Sequence, residues 1–530
     1  MKAPVAAALT LLAAPLAAQD ICEGNGLGNV YIEATPALIG GTYEFDMGSP
    51  DLPGGLSILS YSDGFGPTTL PLLGTVCLDV FSPTYNILAL PLDGAGNVGL
   101  TVAIPADPTL AGIVPFYVAP ATVNGAVVET GKTVPVYFEN ADSYTPTSDM
   151  SFARSMHRAT ALGQDARDNR IQVFISGGGD GTIFAPGSTS QTELFQPLDR
   201  TFSNGPALST PRAFHNATLL EDGRVLITGG CNANGIVTAT CDLYDHTTGT
   251  ISAAAPMSTG RIGHSATRLA DGRVLVAGGL SDYQNAETAL AAVLNTAQDT
   301  AEVYDPSTDS WTSVSADMAS VRSGHAAVLM PDDRVLLISG INGGVPSGIG
   351  TEVPTFTGSC EYYDPGTDSF SPAPSFPLPR GFPGASMLGN DDVLVTGGLI
   401  TAGAFGEALA TSTCYTFDGA AWTLAGTLTE GVAFHAQATT RDGNAYISGG
   451  YIGDFVTLIA STLSGTHDGT SFTAGTALGT NAGLPGNPAS ARGSHTLTEL
   501  WDGSFLVLGG FNSPDTSTLI VLDGGYVYTP

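Results

Sequence analysis

A Gly-Gly doublet closing an apolar run recurs down the last two-thirds of this chain, and no other feature limits the possible fold as strongly. The doublets are Gly177-Gly178, Gly229-Gly230, Gly278-Gly279, Gly397-Gly398, Gly449-Gly450 and Gly509-Gly510, with Ser339-Gly340 as a variant between the third and fourth. Successive doublets stand 49 to 61 residues apart. Each unit opens on Arg-x-x-His, as in Arg212 to His215, Arg261 to His264, Arg322 to His325 and Arg492 to His495. An alternating strand follows, then a turn such as Asp222-Gly223 or Asp271-Gly272, where glycine tolerates the positive φ that a tight hairpin needs. A β-rich run leads to the doublet. After a loop of variable length comes a third strand ending in aromatic-Asp (Tyr244-Asp245, Tyr304-Asp305, Tyr363-Asp364, Phe417-Asp418), then a fourth carrying Trp311, Phe370, Trp422 or Phe472. Four such strands cannot bury both faces of their sheet alone, so the units must stack around an axis and close into a ring.

These residues resemble the kelch motif, in the Arg-x-x-His variant of galactose-oxidase-like propellers. The resemblance spans residues 150–530 and implies an all-β chain with a seven-bladed β-propeller. Two blades depart from the pattern. Pro383 stands where the fifth histidine would be, and Val432 where the sixth arginine would be, with His467-Asp468 in place of aromatic-Asp. Reading strands from His157 to Tyr528 makes every blade complete in chain order. This predicts closure by packing the first blade on the last, without exchange of a strand between the termini.

Upstream, residues 1–18 read as a signal peptide: Met1-Lys2, an apolar run from Val5 to Ala14, and small residues at Leu16-Ala17-Ala18. A secreted, extracellular or periplasmic location follows. No later run is long enough to anchor the chain in a bilayer. Residues 19–145 contain short alternating runs separated by turn residues, such as Tyr43 to Met47 and Leu56 to Tyr61, the pattern of a small β-sandwich. Cys22, Gly74 to Cys77 and Ile104 to Pro108 also make it similar to a small β domain of large secreted bacterial proteins. Ala141 to Asp149, rich in Ser, Thr and Pro, reads as the linker to the propeller. The six cysteines suit an oxidising compartment. Cys22 with Cys77, and Cys231 with Cys241, are the expected disulfides. Cys360 and Cys414 occupy equivalent places in neighbouring blades and are expected to stay unpaired.

The net charge of −32, with two lysines and fifteen arginines, repels nucleic acid and anionic lipid. Function should therefore reside on the loops between second and third strands, which vary most in length and share one face of the disc. Residues there that could contact a carbohydrate, peptide or protein are Tyr283, Glu287, Phe405, Glu407, Tyr451, Asp454 and Phe455. Six of the eight histidines are the repeat histidine (His157, His215, His264, His325, His435, His495), which predicts one structural hydrogen bond per blade and no metal ring. A copper radical oxidase is the enzyme the resemblance brings into play. That chemistry uses a Cys–Tyr cross-link and an adjacent Tyr-His, and no Tyr-His dipeptide occurs. The expectation is a monomeric, non-catalytic binding propeller without cofactor. A degenerate copper oxidase and a structural cell-surface protein are the alternatives.

Overall fold

The second strand of every blade is buried along its whole length, and apolar but for a Ser or Thr that ends four of them, because both of its faces are covered by neighbouring blades. In the computed structural model, Val173–Ser176, Val225–Thr228, Val274–Ala277, Val335–Ile338, Val393–Thr396, Ala445–Ser448 and Phe505–Leu508 are buried at every residue. The structure describes strands between residues 31 and 139, and residues 143–530 apart from 163–171, 198–199, 347–351, 403–405, 455–458, 479–490, 501 and 516–517. Around the second strands stand seven antiparallel four-stranded sheets, the blades of a β-propeller. The first strands, such as Arg158–Ala161 in blade 1 and Ser265–Arg268 in blade 3, line the axis. The fourth strands lie outermost and are largely exposed. Each outer strand carries one large apolar side chain opposite the aromatic of the third: Phe195 faces Phe202, Tyr304 faces Trp311, Tyr363 faces Phe370, and Phe417 faces Trp422. Such cross-strand aromatic pairs hold an edge strand that has little else to bury.

The ring does not close as expected. Blade 7 takes Thr496–Glu499, Phe505–Leu508 and Gly525–Thr529 from the end of the chain, and its outer strand is Ser143–Pro146. Tyr144 pairs with Tyr528 and fills the place that Trp311 fills in blade 3. The stretch read as a linker is therefore a blade strand, and a strand exchanged between the termini locks the ring. The miscount has a local cause. Phe511–Asp515 and Thr518–Val521 form a two-stranded hairpin of their own on the loop face, bridged at Phe511 to Gly493, yet in linear order they look like blade strands.

The turns Asp222-Gly223, Asp271-Gly272 and Asp502-Gly503 each join a first strand to a second, so they share the face opposite the loops. The doublets are explained by contact between blades. A Cβ on Gly229 (φ +64°) would lie 2.4 Å from the Arg261 carbonyl oxygen and 2.9 Å from Cε1 of His264. The second glycine of each pair donates its N–H to that same carbonyl of the next blade, as in Gly230 to Arg261 (3.0 Å), and Gly510 to Arg154 (2.9 Å) continues the series across the closure. Serine replaces the first glycine only at Ser339, where the next blade has Pro383 in place of the histidine; there the Arg380 N–H donates to Ser339 Oγ at 2.8 Å.

The Cys231–Cys241 bridge does not form. Cys241 pairs with Thr228 and is buried between blades 2 and 3, while the residues after Thr228 carry Cys231 past the doublet to the axis. Cys360 and Cys414 lie in two further cores between blades. All four are buried free thiols, and burial pushes Cys231, Cys241 and Cys414 up to about 12. Of residues 19–139 only strand runs are described, such as Thr42–Gly48 against Asn97–Ala103. The signal peptide, Cys22 and hence its pairing with Cys77, and the sandwich arrangement lie outside the described residues. No helix among the described residues is long and apolar enough to cross a membrane.

Candidate functional site

The repeat residues build the frame beneath the loop face. Each Arg of Arg-x-x-His is buried and turns back into its own blade. Arg261 donates to the carbonyls of Gly278 (2.8 Å) and Thr300 (3.0 Å) and pairs with Glu302 at 2.9 Å. Arg154, Arg212 and Arg322 repeat this with Glu193, Asp242 and Glu361. Where the carboxylate is missing, Arg380 lies over the rings of Phe376 and Tyr415, and Arg492 over that of Tyr526. Blade 6 has lost both partners: Val432 replaces the arginine, and Gly465 stands where Glu302 stands in blade 3. A carboxylate buried without its arginine would be left uncompensated at a cost of several kcal/mol, and none stands here where the arginine is gone.

The histidines reach the other way, to the preceding blade. Nε2 shares a hydrogen bond with Ser176 from His215 (2.8 Å), with Thr228 from His264 (3.0 Å), with Thr396 from His435 (2.8 Å) and with Ser448 from His495 (2.9 Å). Where the second strand ends in Ala277 or Leu508, the hydroxyl comes from the first strand instead: Ser265 for His325 (2.9 Å) and Thr496 for His157 (3.0 Å). Burial, then nearby arginines, holds these rings below the usual imidazole range, to about 3 for His325 and about 4 for His435. Among the described residues no three His, Cys, Asp or Glu side chains gather in a way that could hold a metal ion. His264→Ala should lower stability by about 1–3 kcal/mol, the cost of leaving a buried partner unsatisfied, and His215→Ala and His325→Ala should match it. Melts of the wild type and these variants with and without chelator test the role; a wild-type melt that drops with chelator, together with variants that no longer respond to it, would make the ring a metal site.

Above this frame the axis is shut at the loop face. The residue before each histidine is left-handed in all seven blades: Met156, Phe214, Gly263, Gly324, Phe382, Phe434 and Ser494, with φ between 52° and 58°. Five of these positions are not glycine, a strain that persists only where the surroundings over-determine it. Here they do. N–H groups pass hydrogen bonds around the axis from Phe382 to Gly324, Gly324 to Gly263, and Phe214 to Met156. Each Arg+1 residue also bridges the residue after its doublet, as in Ala213 with Cys231, Ile262 with Leu280 and Ala433 with Tyr451. Cys231, Leu280, Ile341 and Leu399 pack with Tyr283, Leu290 and Leu294, and Tyr451 and Phe511 with Met156 and Ala213; Phe214 and Phe434 pack against both clusters, which together make an apolar plug. This plug was missed in the linear reading, although its signal is present: Cys231, Leu280, Ile341, Leu399, Tyr451 and Phe511 all directly follow a doublet.

The long loops form a crest over blades 3 to 7. Blade 3 contributes the short helix α1 (Leu290–Leu294), and blade 4 the hairpin Ile341–Pro346 with Glu352–Phe356. Glu352 accepts from the Ala291 N–H at 2.7 Å, which joins the two. Blades 5, 6 and 7 add Leu399–Ala402 with Glu407–Ala410, Tyr451–Ile452 with Ile459–Ala460, and the hairpin after Phe511. Of the expected contact residues, Tyr283 and Tyr451 are buried in the plug, and Tyr283 Oη donates to the Ile183 carbonyl at 2.7 Å. They are structural: Tyr451 directly follows its doublet, Tyr283 lies four residues beyond Gly279, and both pack in the plug, not in solvent. Glu287 is exposed. Glu407 and Asp454 are half-buried and brought together, since Asp454 bridges Leu409 between adjacent hairpins. Phe405 and Phe455 lie outside the described residues.

Comparison with known proteins agrees with this architecture. Residues 264–316, which span most of blade 3, match the kelch motif. A solved fungal alcohol oxidase, described as having catalytic diversity among the AA5 family and bound to copper, is similar with a TM-score of 0.54 and 16% identity, over 74% of this chain and 77% of that one. The structure of YjhT is similar with a TM-score of 0.43 and 16% identity, over 58% of this chain and 93% of that one. The first likeness shows the propeller fold. No curated protein matches the sequence.

Proposed function

We propose that this chain is a secreted, non-catalytic binding propeller that presents the crest of blades 3 to 7 to a carbohydrate, peptide or protein. The observation that carries the reading is the asymmetry of the disc. Four hairpins and a helix are added on one face, while the first and second strands are joined on the other by tight turns. Additions to a rigid scaffold are where ligands are met. The carboxylates Glu287, Glu407 and Asp454 belong to that crest, so the ligand contacts a polar surface.

The test is a glycan array and a peptide library probed with the purified full chain. Glu407→Lys combined with Asp454→Lys should weaken any captured ligand at least tenfold, and Asp222→Lys on the opposite face should leave it unchanged. Equal effects from both faces would refute the placement. A parallel copper-loading assay with a peroxide readout covers the alternative: copper-dependent peroxide formation would replace the binding reading with an oxidase.

A further inference from the structure

The axis is shut at the loop face, but below that the first strands enclose a channel, and one arginine in it lacks a counter-charge. The residue after each histidine opens a first strand and together these form one tier: Arg158, Asn216, Ser265, Ala326, Gly384, Ala436 and Thr496. Arg158 is the single charged member. Its Nε donates to Asn216 Oδ1 at 3.1 Å, and Asn216 Nδ2 donates in turn to the His264 carbonyl at 2.6 Å. Among the described residues its two terminal nitrogens have no protein partner, and no carboxylate reaches it.

Arg380 and Arg492 also lack a carboxylate, but they donate to backbone carbonyls and lie over aromatic rings, which Arg158 does not among the described residues. Arg154, Arg212, Arg261 and Arg322 are paired with buried carboxylates, and Arg224, Arg273, Arg334 and Arg441 with exposed or half-exposed ones. A chain with 49 acidic residues has left this inner arginine without one. In a seven-membered ring, blades 4 and 5 lie across the axis from blade 1, and blades 4 to 6 carry the tier's smallest residues, Ala326, Gly384 and Ala436.

We propose that the axial channel is a binding site for a small monocarboxylate, held by the guanidinium of Arg158 and reached from the hairpin face. The planar fork of two unengaged N–H pairs matches a carboxylate. Neutral polar groups flank it: Asn216, which keeps a second Nδ2–H beside the one given to His264, and the hydroxyls of Thr160 and Thr218 one step along the same strands, while those of Ser265, Thr496 and Thr498 are engaged with His325, His157 and the Ala159 carbonyl. The charge balance selects a monoanion. Arg158 supplies one positive charge, and the nearby His157, His215 and His264 stay neutral because burial, then Arg154, Arg212 and Arg261 in turn, with Arg158 adding, keeps them well below the usual imidazole range. A dianion would carry an uncompensated charge into a strongly acidic protein.

Acetate and pyruvate are the probes, tested on the full chain against chloride at equal ionic strength, with inorganic phosphate for comparison. Saturable binding of carbon-13-labelled acetate, competed by pyruvate, is expected for the wild type. Arg158→Gln should weaken it about tenfold or more, the loss expected when a charge-assisted pair is removed. Arg268→Gln, at the exposed end of a first strand in blade 3, should leave the acetate affinity within about twofold because that arginine lies at the other end of the channel wall. The wild-type titration needs no variant, so the proposal is testable even where Arg158→Gln fails to fold. No saturable binding by the wild type, binding that survives in Arg158→Gln, or tighter binding of phosphate than of acetate would overturn it.

Discussion

Removing residues 1–147 should open the propeller. Blade 7 would lose its outer strand and expose the edge of Gly525–Thr529, whose backbone groups pair with Ser143–Pro146 in the intact chain. Unpaired edges of this kind recruit other chains, so the truncated protein should self-associate. The loss is also one of packing. Tyr144 is 5% exposed, its ring lies 4.8 Å from that of Tyr528, and its hydroxyl meets Tyr446 and donates to Ser464 at 2.7 Å. Tyr446 in turn stacks on Tyr528 at 4.1 Å. Tyr144→Ala removes the aromatic that ties blade 6 to the closing strand, and should cost about 3–5 kcal/mol, as large-to-small changes in a packed core do. Tyr144→Phe should cost about 0.5–1.5 kcal/mol, the net value of the hydrogen bonds alone. Denaturant unfolding of the two variants, and sedimentation of the truncated chain beside one starting at Glu139, measure this. A chain lacking residues 1–147 that stays monomeric and as stable as the full chain would show that closure does not depend on the exchanged strand.

Acid should unfold the protein well above the ordinary carboxylate range. Of the six repeat histidines, His157, His215, His264 and His495 are buried and His325 and His435 half-buried, and desolvation and the adjacent arginines hold them neutral, to about 3 for His325, about 4 for His435 and well below the usual range for the other four. In the unfolded chain each titrates near ~6.5. The folded-state values are depressed, so below ~6.5 the unfolded chain binds protons that the folded chain refuses. The stabilisation is complete above ~6.5 and is lost as pH falls from there towards the folded-state values. Each proton contributes a slope of at most about 1.4 kcal/mol per pH unit, so the six together set an upper limit of roughly 8 kcal/mol per unit. Urea unfolding at pH 7, 6 and 5 reads the slope directly, and His264→Asn should lower it by one proton. A stability that stays level between pH 7 and 5 would mean that the folded protein accepts these protons.

The repeat histidines show how far a linear reading carries. One residue recurring in six blades can be assigned a structural role before any coordinates, because what the blade repeats, the blade explains. The partner of each histidine is another matter. Ser176 and Thr228 lie on the preceding blade at the end of an apolar run, and nothing local distinguishes them from other strand hydroxyls. The paired replacements, Val432 with Gly465 and Pro383 with Ser339, become intelligible only once the contacts made by the same positions in the other blades are seen.

The same division holds for the molecule as a whole. Strand period, the Asp-Gly turns and the spacing of the doublets were sufficient for seven four-stranded units around an axis, because those signals act between residues close in the chain and are restated in every blade. Closure, the plug, the fate of Cys231 and Cys241, and the burial of Tyr283 and Tyr451 depended on contacts between distant segments. Ser143–Pro146 pairs with a strand more than three hundred residues away, and its Ser-Thr-Pro surroundings look like a linker until Tyr144 is found opposite Tyr528. A residue beside a doublet faces solvent or the axis according to where seven blades converge, and that is a property of the ring, not of the unit that repeats.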